Sequence, residues 1–204
     1  MRLAILGASG HGKVVADTAL QAGWKEVVFF DDAWPRVSEN GAWSVAGGTA
    51  TLFDTANDFD GVVVGIGNNA TRLAKTRKLL ASGAPLVTII HPNAVVSAQA
   101  ELGIGSVVFA GVVIQADCYV GMACIVNTRA SLDHDCTLAD GVHISPGAAL
   151  AGYVKVGEGA WVGIGAAVKQ LVSIGRHAVV GAGAAVIKDV AAGSTVVGVP
   201  ARPV

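Results

Sequence analysis

Between Ser131 and Gly147 the chain reads SLDHDCTLADGVHISPG, and His134 with Asp133 and Asp135 breaks an otherwise monotonous run of valine, glycine and alanine. An imidazole titrates near neutral pH, and a neighbouring carboxylate can orient its ring and stabilise the imidazolium. This is the equipment of a general base, with Asp135 as the carboxylate partner and Asp133 as the alternative. The competing reading is a solvated turn histidine between two acids, and the residues alone weigh the two equally. A second set lies near the start, where Gly7, Gly10 and Gly12 follow the apolar run LAIL, and Asp31 and Asp32 close the run EVVFF. A glycine turn between a first strand and a first helix aims backbone N–H groups at a diphosphate, and a carboxylate at the end of the second strand receives ribose or base donors. A tight turn with a capping acid is the alternative, but the position favours nucleotide binding. NAD is one candidate. Only half of a dinucleotide fold precedes the repeat described next, so a nucleotide sugar suits the smaller platform better.

The element that must hold His134 is a repeat. Every sixth residue from Leu102 to Val186 is aliphatic, and Ile90 and Val96 extend the register backwards. Positions four places later are small or medium, as at Ser106, Val112, Cys118, Cys124, Ala130, Cys136, Val142 and Ala148. A period of six fits neither a helix nor a two-faced strand. It fits a short strand plus a turn wound around a triangular prism, three hexads to a coil, giving about five coils stacked ~4.8 Å apart. The three cysteines fall on the inward small position, which predicts buried small hydrophobes without a disulfide or zinc site. Residues 18 apart form outward columns: Val107, Ile125, His143, Trp161, Val179; Val113, Ser131, Ala149, Ala167, Ala185; and Tyr119, Thr137, Lys155, Ser173. The first is the most apolar and is expected at a subunit interface, with His143 a hydrogen-bonded residue lining a neighbouring site. His134 lies on a turn, with Ala116 and Gly152 one coil to either side. His91 is read as a linker residue, His177 as surface, and Arg202 as either a contact to a phosphate or a solvated charge.

The first ninety residues alternate differently. RLAIL, EVVFF, GVVV and PLVTII read as strands, and KVVADTALQAG and ATRLAKTRKLLASG as helices closed by Gly23 and Gly83, with a polar excursion after Asp32. The expected fold class is therefore α/β plus β: a small Rossmann-like parallel sheet over residues 1–90, then a left-handed parallel β-helix over 91–204 with a C-terminal strap.

A net charge of −1 with 14% charged residues argues against nucleic acid or an anionic membrane as partner. No apolar stretch suits a membrane span or a signal-peptide core, so a cytoplasmic protein is expected. An apolar content of 52% and a mean hydropathy of +0.58 predict a homo-oligomer.

The segments GASGHG (7–12), DD (31–32), GIGNN (65–69), IIHP (89–92), DHDC (133–136), HISPGA (143–148), LAGYVKVG (150–157) and GVPARPV (198–204) run nearly end to end in one order. In these the chain resembles the bacterial nucleotide-sugar acetyltransferases of the hexapeptide-repeat superfamily, especially the UDP-4-amino-sugar N-acetyltransferases of the bacillosamine pathway and the related sialic acid O-acetyltransferases. The resemblance implies an N-terminal domain for a UDP-amino sugar, a β-helix for acetyl-CoA, and a homotrimer with active sites between subunits; no acid–histidine cluster suits a metal, and none is expected. It maps His134 onto the general base and Asp135 onto its partner. Glutamate is frequent at that second position, and the shorter Asp135 predicts a less direct contact. The expected substrate-binding set is Gly7, Ser9, Gly10, His11, Asp31, Asp32, Gly67 and Asn68. Gly152, whose N–H could meet a developing oxyanion, and His143 are expected on the acetyl-CoA side. The expected reaction is acetyl transfer from acetyl-CoA to the 4-amino group of a UDP-4-amino-4,6-dideoxy sugar. A GDP-amino sugar or a sialic acid hydroxyl is the alternative acceptor, since amine and hydroxyl need the same base. A trimeric nucleotide-binding regulator that uses the β-helix only as scaffold is the non-enzymatic alternative.

Overall fold

A computed structural model describes all 204 residues, which form two compact units, Met1–Pro92 and Asn93–Val204. In the first, strand β1 (Arg2–Leu6) pairs in parallel with β2 (Glu26–Phe30) on one side and, with β5 (Gly61–Val64), on the other. Helix α1 (Gly10–Gln21) connects β1 to β2, and α3 (Asn69–Ala81) follows β5. Both helices end where expected, at glycines in the left-handed region, Gly23 (φ +100°) and Gly83 (φ +78°).

The polar excursion is not a loop. It contains β3 (Glu39–Asn40), β4 (Trp43–Gly47) and α2 (Thr49–Thr55), and β4 runs parallel to β2, so the sheet order is β3-β4-β2-β1-β5. Strand β4 buries only Val45 and Gly47, because it lies towards the edge beneath an antiparallel two-residue strand, and a half-exposed WSVAG carries little apolar signal. Conversely, the expected strand PLVTII shrinks to one bridge, Leu86 to Val62, and the two residues of β6 (Ile89–Ile90).

The second unit is a left-handed parallel β-helix of two-residue strands. Its ladders follow the 18-residue columns: Val113 pairs with Ser131, Ser131 with Ala149, Tyr119 with Thr137, and Ile125 with His143. The aliphatic position of each hexad and the small position four residues on fill the interior; Val108, Val126, Ile144, Val162 and Val180 are fully buried, as are Ala130, Val142 and Ala160. Each such aliphatic side chain is worth ~1.5–3 kcal/mol on burial, so the stack supplies its own core. The three cysteines are buried and free, and the Cys118, Cys124 and Cys136 thiols donate to the carbonyls of Asp133, Ala139 and Ala151. After Val179 that ladder continues to Thr195–Val197, which a hairpin joins to Arg202–Pro203 near the C-terminus.

The apolar column changes meaning. Val107 and Ile125 are buried within the single chain and so are already covered, whereas His143, 8% exposed, lines a hollow further along the column. The exposed apolar surface on this side belongs to Trp161 and Ile164, beside the partly exposed Val179, around a hollow of about 370 Å³. No helix is long and apolar enough to cross a membrane.

Candidate active site

His134 sits on the turn between strands Ser131–Leu132 and Thr137–Leu138. Asp135 adopts the left-handed conformation (φ +59°), which its short polar side chain tolerates better than most. Its Oδ2 lies 2.7 Å from His134 Nδ1. The contact is thus direct, contrary to the expectation drawn from the shorter side chain, because the turn brings the carboxylate back beside the ring. Asp133 serves the turn instead: its Oδ1 accepts the His134 backbone N–H at 2.8 Å. The Asp135 hydrogen bond is the largest influence raising the His134 pKa above its ordinary value, and the nearby charges of Asp133 and Asp135 act in the same direction. With Nδ1 turned to Asp135, Nε2 is the ring nitrogen left without a hydrogen bond.

Gly152 stands one coil away against this ring. A Cβ there would lie 2.7 Å from both Cε1 and Nε2 of His134, so only glycine leaves the imidazole its place. The Gly152 N–H makes no hydrogen bond within the chain, while its carbonyl accepts from Leu171 N at 3.0 Å. Tyr153 meets the imidazole edge-on at 5.3 Å. Together with Ala151, Gln170 and Leu171 these residues line a groove of about 430 Å³. It shares Asp133 and Ala151 with a second hollow of about 470 Å³ over the small-residue column Ser131, Ala149 and Ala167. A long thin ligand could follow this edge past the exposed His134 ring.

His143 is not part of that groove. Nine residues separate it from His134, half of an 18-residue coil, so within one chain the two lie on opposite sides of the prism. His143 stacks on Trp161 at 5.3 Å and 10°, and its Nε2 lies 3.2 Å from Asn127 Nδ2. Trp161 in turn donates to Ser145 Oγ at 2.7 Å.

In the N-terminal unit the glycine turn is tight. Gly7 has φ +115°, and a Cβ on Gly12 would lie 2.2 Å from the Gly7 carbonyl oxygen, so α1 can pack on the turn only through glycine. Gly10 and Gly67 would meet nothing within 4 Å and are not required for space. Asp31 builds the turn, accepting the N–H of Ala8 (2.8 Å) and of Ala33 (2.9 Å). Ser9 is the N-cap of α1 without a side-chain capping bond, whereas Asn68 caps α3 by accepting Thr71 N–H at 2.9 Å. Burial lowers the His11 pKa to about 4, with Arg72 adding to the effect, so the ring is neutral at pH 7.

Three residues escaped the sequence reading. Arg72, buried at 1% exposure, donates to the carbonyls of Ile66 and Gly67 and to Asn69 Oδ1, fixing the second glycine turn. Thr49 and Lys75 join Asp32: Oδ1 accepts Thr49 N–H (2.7 Å), and Oδ2 accepts Thr49 Oγ1 (2.9 Å) and Lys75 Nζ (3.2 Å). These bonds, those of Thr49 foremost, hold the Asp32 carboxyl below its usual range. The trio lines a hollow of about 150 Å³ with Gly7, Asp31, Ile66 and Thr71, while Ser9, Gly10, His11, Gly67 and Asn68 do not line it. Arg72 and Lys75 were hidden because helical periodicity accounts for them, and Thr49 because it lay in the polar excursion, to which no element was assigned.

Known proteins resemble this chain in sequence and fold. Residues 2–79 match the family model described as the PglD N-terminal domain. The chain is 37% identical over 117 residues to the UDP-N-acetylbacillosamine N-acetyltransferase of Bacillus subtilis, an alignment covering 53% of this chain and 51% of that protein, about half its length. The acetyltransferase domain of PglB from Neisseria gonorrhoeae, solved with acetyl coenzyme A, is 42% identical with a TM-score of 0.95, covering 100% of this chain and 98% of that one. PerB from Caulobacter crescentus, solved with CoA and GDP-perosamine, is 38% identical with a TM-score of 0.95, covering 100% of this chain and 97% of that one.

Proposed function

The chain belongs to the nucleotide-sugar acetyltransferases of the hexapeptide-repeat superfamily, and from that premise we propose that it transfers the acetyl group of acetyl-CoA to the 4-amino group of a UDP-4-amino-4,6-dideoxy sugar. The observation that carries this reading is the His134–Asp135 pair at 2.7 Å with Gly152 cleared against its free edge, in a groove open to a long ligand. The thioester arrives already activated and needs no metal. Asp135 accepts from Nδ1–H and fixes the tautomer that leaves Nε2 basic. As the sugar amine attacks the thioester carbonyl, Nε2 takes the amine proton; as the C–S bond breaks, the proton passes to the departing sulfur. The Gly152 N–H serves the oxygen that gains charge between the two steps.

The N-terminal unit binds the nucleotide sugar around Gly7 and Asp32, with neutral His11 on the same glycine turn. A GDP-amino sugar is the second reading, supported by the solved PerB complex with GDP-perosamine. The test is free-thiol release from acetyl-CoA with the UDP- and the GDP-amino sugar as acceptors, wild type beside His134→Ala. Turnover that collapses in a folded variant supports the base. Turnover that survives it, or none with either acceptor, overturns the proposal.

The enzyme works as a cytoplasmic homotrimer with active sites between subunits. Support comes from the exposed Trp161 and Ile164 and from the half-coil separation that places His143 where only a neighbouring chain's groove could use it. Trimers mixed from inactive His134→Ala and His143→Ala chains should regain about a quarter of wild-type turnover, because each closed interface draws one residue from each side. Absence of complementation would show that each chain works alone.

A further inference from the structure

The hollow at the C-terminal edge of the N-terminal sheet has an unequal supply of donors and acceptors. A carboxylate oxygen has two lone pairs. Both lone pairs of Asp32 Oδ2 are engaged, by Thr49 Oγ1 and Lys75 Nζ, whereas Oδ1 carries one bond, from Thr49 N–H. The Asp32 side chain is 65% exposed and Gly48 beside Oδ1 adds no side chain, so the remaining lone pair is left open. Lys75, its side chain 25% exposed, spends two Nζ–H donors on Asp32 and on Thr49 Oγ1 (2.7 Å) and keeps a third. The cluster therefore presents one strong donor beside one acceptor.

Nucleobases differ in what they ask of such a pair. The imide edge of uracil or thymine offers a carbonyl, an N–H and a carbonyl, which one ammonium and one carboxylate lone pair complement. Guanine offers a carbonyl, a ring N–H and an amino group; it calls for both oxygens of a carboxylate, and here its amino group would be left without an acceptor. Adenine, whose N6–H and N1 would match the pair, is disfavoured by size instead, since the hollow, about 150 Å³, suits a single six-membered ring better than a purine. We propose that Asp32 and Lys75 read the imide edge of a pyrimidine base, so that the acceptor is a UDP or dTDP sugar rather than a GDP sugar; this rests on the nucleotide-sugar reading above. Lys75 is thus a specificity residue, and Thr49 positions both partners.

Isothermal titration calorimetry of the full chain with UDP, dTDP, GDP and ADP tests this. UDP or dTDP should bind at least ~10-fold more tightly than GDP or ADP, the scale of one charge-assisted hydrogen bond. Lys75→Met should weaken the pyrimidine nucleotide by ~10-fold and leave GDP nearly unchanged, and Lys75→Arg, which keeps charge and donors, should retain most of the preference. The ratio of UDP to dTDP affinity separates the two imide bases. Wild-type binding of GDP or ADP equal to or tighter than both pyrimidine nucleotides overturns the inference while leaving a nucleotide site intact. A preference that survives Lys75→Met in a protein with wild-type melting also overturns it. Failure to bind any of the four overturns the nucleotide reading itself.

Discussion

Replacing Gly152 by alanine adds one methyl group to the chain at the point where the proposed base, His134, stands. The backbone does not resist, since Gly152 is not among the glycines with left-handed φ. The only close encounter is with His134: the new Cβ would sit 2.7 Å from Cε1 and Nε2 and 3.3 Å from Cδ2. Carbon atoms rest ~3.5–4.0 Å apart, so the ring must retreat by roughly 0.8 Å or more. Its anchor is the 2.7 Å bond to Asp135, and a retreat of that size takes the bond to the limit of a hydrogen bond or breaks it. A misplacement of ~1 Å is enough to lower a catalysed rate by ~10²-fold. We therefore expect Gly152→Ala to lose about 100-fold in kcat for thiol release, within the ~10²–10⁴-fold that a general base supplies. The imidazole is half exposed and can move without compressing the core, so the melting temperature should stay close to wild type. Measuring kcat and the KM for acetyl-CoA separately distinguishes a displaced base from a blocked groove. A variant that keeps kcat within ~3-fold would refute the argument that Gly152 makes room for the base.

Two further outcomes follow from the titrations. Asp135→Asn removes the main cause of the raised His134 pKa. A raised pKa keeps the base protonated, and idle, up to a higher pH, so the acid limb of kcat/KM should move to lower pH in the variant while the plateau falls ~10-fold or more from lost orientation; a limb that stays in place would detach Asp135 from the base. Acidification should also weaken the N-terminal unit: the folded His11 pKa of about 4 lies below the unfolded 6.5, so the unfolded chain binds the extra proton and stability falls as pH drops through that window. The loss should be ~2 kcal/mol at pH 5 and absent in His11→Asn when wild type and variant are melted between pH 7 and pH 5, and equal losses in both would refute it.

How much of this was legible depends on the range over which each signal is encoded. The β-helix was readable because one short rule, an aliphatic residue every six, is repeated along the whole unit and each repetition is an independent vote. Strand β4 had no such support: Trp43–Gly47 is one half-exposed segment, and only its pairing with β2 and β3 makes it a strand. Within the site, His134 and Asp135 are neighbours in sequence, yet adjacency did not reveal which acid bonds the ring; the left-handed turn at Asp135 decides that. Asp32 and Lys75 are 43 residues apart and meet only after the sheet has formed, so no local pattern could announce them.

The case of His143 is different, because the sequence did contain the answer. Once the coil length is 18, an offset of nine residues places two side chains on opposite sides of the prism whatever their chemistry. The same arithmetic that stacks Gly152 against His134 therefore separates His143 from it. A function that needs both histidines in one groove has to be built by two chains, so for such an enzyme assembly is a condition of catalysis rather than an addition to it.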